Sequence, residues 1–168
     1  MATNEATIVL ANILNRHSVR AFEPGALAEE DLQTLLRAGE AAPSAGGLKS
    51  RNLIPVTHPE DLEFIIRYIF SARIRQQRER FKNVSCILLI CANITSATAK
   101  YRRGRLYALQ DATLAGQNVL LMAHALGICA CWIGQIRERK IVQKFNLGKE
   151  YKLVGLIALG RQPATPND

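Results

Sequence analysis

Apolar positions recur along the chain at two spacings, and the switches between them predict the elements. Ile8, Val9, Ile13 and Leu14 form a stripe at helical spacing that ends near Asn15. Leu32, Leu35 and Leu36 repeat that spacing on a second helix. Its first turn is acidic (Glu29, Glu30, Asp31), which suits a helix N-terminus, and Pro43 ends it. Residues 52–57 read as a short strand, after which Pro59 opens a third helix with Leu62, Ile65, Ile66 and Ile69 turned inward. The continuous apolar run 84–92 predicts a central strand buried on both faces. A long helix follows over about 103–126, with Gly127 at its C-terminal cap. Residues 128–133 form another buried strand, Ile141, Val142 and Phe145 a short helix, and residues 151–159 a last strand. The order α-α-β-α-β-α-β-α-β, with about four strands, predicts a layered α/β or α+β domain.

The long helix departs from the usual amphipathic pattern. Leu109, Leu114, Val119, Leu120, Leu121, Met122, Ala125 and Leu126 spread around nearly its whole circumference, so it needs cover on every side. In a chain of 168 residues, read as one domain over 1–168, a second copy is the natural cover, and a homodimer is expected. No apolar run reaches membrane-spanning length, because Gln110, Asp111, Gln117, Asn118 and His124 interrupt the richest one. The N-terminal residues lack the layout of a secretory signal, which predicts a soluble cytoplasmic protein. Cys86, Cys91, Cys129 and Cys131 all lie in apolar surroundings and read as buried free thiols; no spaced Cys or His pairs suggest a metal.

A net charge of +8 changes the picture. Arg67, Arg73, Arg75, Arg78, Arg80 and Lys82 form one basic stretch, and Lys100, Arg102, Arg103 and Arg105 another. These charges suit a solvated face, an anionic small ligand or nucleic acid, and the scarcity of interleaved aromatics makes nucleic acid the weakest of the three. Neither a strand followed by GxGxxG nor a GxxxxGK[ST] loop is present, so dinucleotide and P-loop signatures give no support. Two short signatures point instead to a phosphate-bearing cofactor. In residues 16–20, Arg16 and Arg20 flank Ser18 at a helix end; in residues 42–47, small residues let backbone come close to a ligand.

These segments resemble, in order, a known family. Residues 16–22 (RHSVRAF), 41–47 (AAPSAGG), 115–127 (AGQNVLLMAHALG), 131–134 (CWIG) and 157–160 (IALG) are similar to the nitroreductase family of FMN-dependent enzymes. The resemblance implies an α+β fold with a central mixed or antiparallel sheet of four to five strands. It further implies an intertwined homodimer with FMN at the subunit interface, and NADH or NADPH as donor to a nitroaromatic, quinone or similar acceptor in ping-pong fashion. It puts Arg16 and Ser18 on the phosphate, with His17 contributing backbone contacts, and Arg20 at the pyrimidine edge as a tuning charge. Gln77 and Arg80 would stand near the flavin. Pro43, Ser44, Ala45, Gly46 and Gly47 would come from the partner, while Trp132, Ile133, Gly134 and Gln135 would line the ring. Arg161 is the candidate to complete the phosphate site where longer members carry a tail. Trp132 also suits the core, and His124 a packed or interfacial place. The segment 47–51 departs from the Asn-x-Gln-Pro-Trp type of many members, which leaves a flavin- or nucleotide-binding module without turnover as the alternative to an enzyme.

Overall fold

The computed structural model describes residues 4–69 and 79–162. In chain order the elements are α1 (Asn4–Asn15), α2 (Glu29–Glu40), a 3-10 turn (Ala45–Gly47), β1 (Arg51–Val56), α3 (Pro59–Ile69), β2 (Cys86–Asn93), α4 (Ile94–Lys100), α5 (Gly104–Ala125), β3 (Cys129–Ile133), α6 (Glu138–Lys144) and β4 (Tyr151–Gly160). The described strands form one sheet in the order β1-β2-β4-β3, with every neighbouring pair antiparallel.

The central position of β2 explains its unbroken apolar sequence. Cys86, Leu88 and Ile90 face one layer of helices, and Ile87, Leu89 and Cys91 face the other. The first layer is α2, α4 and α5, which contribute Leu35, Ala97 and Ala112; the second is α3 and α6, which contribute Ile65 and Ile141. Burial on both faces removes the polar alternation that would distinguish sheet types, so the sequence left mixed and antiparallel arrangements open. The fold is α+β with a purely antiparallel four-stranded sheet.

Alanines set the depth of α5. Ala108, Ala112, Ala115 and Ala123 are fully buried and let the helix backbone lie close over the sheet. Its other side remains open: Leu106, Leu114 and Leu126 are 39%, 44% and 38% exposed. Helix α1 goes further and buries none of its residues, although Asn12 Nδ2 donates to Leu121 O at 3.0 Å and fastens it to α5.

One element differs from the sequence expectation. Helix α4 follows β2 directly, where no helix was expected. Its residues Ile94-Thr95-Ser96-Ala97 lack an apolar stripe, and a local cap fixes it instead: Asn93 Oδ1 accepts from Ser96 N at 3.0 Å.

Candidate functional site

The edge strand β3 organises one half of the site. Its free side is covered by the segment after α1, where Val19 N donates to Ala130 O at 3.0 Å. Phe22 is buried against Phe81, with ring centroids 5.8 Å apart, and Glu23 N donates to Arg161 O at 3.2 Å. These anchors hold Val19 and Phe22, and the polar residues between and before them are left facing outward. His17, Ser18 and Arg20 are exposed, and Arg16 is half-buried.

Two grooves follow one another along this edge. The first, about 170 Å³, is lined by Arg16, His17, His124, Cys129, Ala130 and Gln162. His17 Nδ1 donates to Asn15 O at 3.0 Å, and its ring meets His124 edge to face at 6.0 Å. The second groove, about 330 Å³, is lined by Arg20, Arg80, Trp132, Ile133, Gly134 and Gln135, with Phe81 and Cys131 behind them. Arginines of both grooves act on Cys131. Burial pushes its thiol pKa up, while the Arg20 guanidinium, in hydrogen-bonding contact, and the field of Arg16 pull against that rise. Both arginines therefore stand over the same strand. Among the described residues neither Arg16, Arg20 nor Arg80 forms an ion pair.

The turn at 43–47 makes up the other half. Gly46 and Gly47 have φ of 56° and 70°, the left-handed region that glycine enters without a Cβ penalty. Asp111, 3% exposed on α5, accepts from Ala45 N at 3.0 Å and from Ser50 N at 3.2 Å, tying both ends of the turn to the helix. Ser44 Oγ accepts from Lys49 N at 3.0 Å. Arg51, equally buried, donates through Nη2 to Glu40 O and to Ala42 O (3.0 Å), so the carbonyls at the end of α2 are satisfied. Its Nε and Nη1 are buried without a partner among the described residues. The Tyr101 hydroxyl lies against Gly46, where a Cβ would stand.

The chain does not bring the two halves together. The turn precedes β1 at one edge of the sheet, and the arginines line β3 at the opposite edge. Arg16, His17, Arg20, Arg80, Ile133, Gly134 and Gln135 share the β3 edge, while Pro43, Ser44 and Ala45 line a separate groove with Tyr107 and Leu114. Trp132 borders the second groove, yet its indole is seated between Gly116 of α5 and Gly155 of β4, so it belongs to the core as well as to the groove wall. Arg161 does not join Arg16: its side chain packs over Gly25, and Gln162 takes the place beside the first groove. Gln77 lies outside the described residues. Sequence reasoning missed the roles of Asp111 and Arg51. A lone carboxylate inside an apolar helix was the available sign for Asp111; nothing local marks Arg51.

All four cysteines are free and buried. Burial raises the pKa of Cys86 and of Cys91 to about 12, so both stay protonated and are poor nucleophiles. No group of three or more metal-ligating side chains occurs among the described residues, and none of their helices is long and apolar enough to cross a membrane.

The model of the nitroreductase family matches residues 13–161, a span that includes the turn, the second groove and all of the first but Gln162. The chain belongs to the nitroreductase family. It is 28% identical over 155 residues to a protein of Archaeoglobus fulgidus named "Putative NADH dehydrogenase/NAD(P)H nitroreductase", covering 90% of this chain and 83% of that one. It is 24% identical over 142 residues to the FMN reductase (NADPH) of Bacillus subtilis, covering 77% of this chain and 55% of that protein. Among solved structures, a nitroreductase family protein of Clostridium novyi NT superposes with a TM-score of 0.82 at 22% identity, over 95% of this chain and 88% of the other. In this fold the sheet order separates the turn from the arginines.

Proposed function

We propose that the protein is an FMN-dependent oxidoreductase that takes electrons from NADH or NADPH and passes them to a small acceptor of the nitroaromatic or quinone type. It works as a homodimer, with each site built from the β3 edge of one subunit and the 43–47 turn of the other. The observation that carries this reading is the pair of adjoining grooves along β3, the first with Arg16 and the second with Arg20 and Arg80, none of which has a carboxylate partner among the described residues. Relatives named as NAD(P)H nitroreductase and FMN reductase (NADPH) support the same class of reaction.

The donor set suits FMN. Arg16 holds its phosphate from the first groove, with His17 beside it and Gln162 in the place expected of Arg161, and the exposed hydroxyl of the neighbouring Ser18 joins them from outside the groove lining. Arg20 and Arg80 set positive charge at the second groove, where Ile133, Gly134 and Gln135 form the wall and Trp132 backs it. When bound, the flavin supplies the hydride chemistry and holds the electron pair between donor and acceptor. A fixed cation at its pyrimidine edge stabilises the negative charge that reduction creates there. The partner's Pro43–Gly47 backbone excludes water from the opposite side, held in shape by Asp111.

The unpartnered apolar surface supports the dimer. Ile8, Val9, Leu10, Ile13 and Leu14 are 47–72% exposed, and a groove of about 840 Å³ lies between α1 and α5 beside them. An apolar surface of this extent marks a protein contact. The family's dimer would cover it. Free thiols fit a reducing compartment such as the cytoplasm.

Anaerobic mixing of the FMN-loaded protein with NADH and with NADPH tests the reading. Bleaching of the flavin band is expected; bound flavin that neither donor bleaches would leave a binding module without turnover. Arg16→Ala should weaken FMN binding about tenfold or more, the loss of a charge-assisted hydrogen bond worth roughly 1.5–3 kcal/mol. Arg20→Ala should slow reduction more than it weakens binding. Unchanged FMN affinity in Arg16→Ala would remove the phosphate assignment.

A further inference from the structure

Four cations gather where α4 meets α5, Lys100 at the end of α4, Arg102 and Arg103 in the connection and Arg105 in the first turn of α5, all exposed. No carboxylate occurs from residue 94 to residue 110, and among the described residues none of the four forms an ion pair. The next acid, Asp111, is buried and occupied by the Ala45 and Ser50 amides. The positive charge of this rim is therefore uncompensated, and part of it is braced. Lys100 Nζ lies 5.6 Å from the Tyr101 ring centroid and the Arg103 guanidinium 5.9 Å from that of Tyr107. The two rings meet edge to face at 5.6 Å. Cations held over aromatic faces lose less freedom when an anion arrives.

The position of the rim gives it a ligand. Tyr101 rests against Gly46, and Tyr107 lines the groove of Pro43, Ser44 and Ala45. The cations thus border the turn that, on the reading under Proposed function, overhangs the flavin of the partner subunit; the present inference rests on that reading. On that reading a nicotinamide stacked on the flavin would leave its adenosine end outside the ring groove, on the side of the turn that this rim borders. We infer that Lys100, Arg102, Arg103 and Arg105 bind the adenosine 2′-phosphate of NADPH, and that the 2′-phosphorylated dinucleotide is the preferred donor. A phosphomonoester offers a dianion and three acceptor oxygens where NADH has one hydroxyl, and arginine binds such a group through paired donors. The rim is small and joined to the turn, which favours this ligand over a nucleic-acid backbone, whose charge would need a longer basic track.

Calorimetric titration with 2′,5′-ADP and with 5′-AMP tests the rim directly and needs no turnover. The 2′-phosphorylated nucleotide should bind at least tenfold more tightly, with a preference that fades as salt rises. In Arg102→Gln/Arg103→Gln that preference should collapse, and the ratio of KM for NADPH to KM for NADH should rise at least tenfold, with flavin absorbance retained as the sign of an intact fold. Equal affinity for the two nucleotides, an unchanged KM ratio in a flavin-loaded variant, or duplex DNA displacing 2′,5′-ADP would overturn the inference. A wild-type protein that fails to hold FMN but prefers 2′,5′-ADP would instead defeat the oxidoreductase reading and leave the rim standing.

Discussion

Asp111 and Arg51 act on backbone rather than on ligand, and their effect on the site comes through the turn between them. Asp111 accepts amides 66 and 61 residues away in the chain, from Ala45 and Ser50. Removing its carboxylate leaves the buried Ser50 amide unpaired, at about 1–3 kcal/mol, and the half-buried Ala45 amide at less. Asp111→Ala should therefore lower the urea midpoint and also weaken FMN binding, although Asp111 lies across the sheet from the arginines. Equilibrium unfolding combined with a flavin titration checks both; loss of stability with unaltered FMN affinity would separate the turn from the site. Arg16, Ser18 and Arg20 stood out as candidates in the sequence because they are neighbours in the chain. The sequence hid the support of the turn because partners so distant leave no local spacing to read, and the buried donors of Arg51 look in sequence like any other arginine.

Elements were legible where one physical cause dominated. The apolar run of β2 and the helical stripes of α2 and α3 each answer to burial alone, and all three were placed within two residues or so. Helix α4 depends on the Asn93 cap and on packing of Ala97, so periodicity passed over it. Trp132 was expected to suit the core as well as the groove wall, but its particular seat left no spacing to read, because it joins α5 to β4 through two glycines. A Cβ at Gly155 would fall 2.5 Å from the indole Cζ2, and one at Gly116 would collide with the same ring. Gly155→Ala should thus destabilise the fold by about 1–3 kcal/mol through overpacking. It should also shift tryptophan fluorescence, the chain having a single Trp. A thermal melt and emission spectrum identical to wild type would show that the indole is not gripped as described.

At the scale of the molecule, the sheet order decides what one chain can do. With β1 and β3 at opposite edges, the turn and the arginines cannot meet around one ligand unless a second copy supplies the missing half. The helices point the same way: α1 buries nothing, and Leu14 is 72% exposed. The apolar residues spread around α5 suggested a dimer through that helix. The structure locates the open surface mainly on α1 and on Leu106, Leu114 and Leu126. Sedimentation velocity followed at the visible flavin band, on protein loaded with FMN, tests the whole account at once. The colour should travel with a dimer, and Leu14→Asp should yield colourless monomer. Flavin sedimenting with a monomer, or a dimer that carries none, would contradict it.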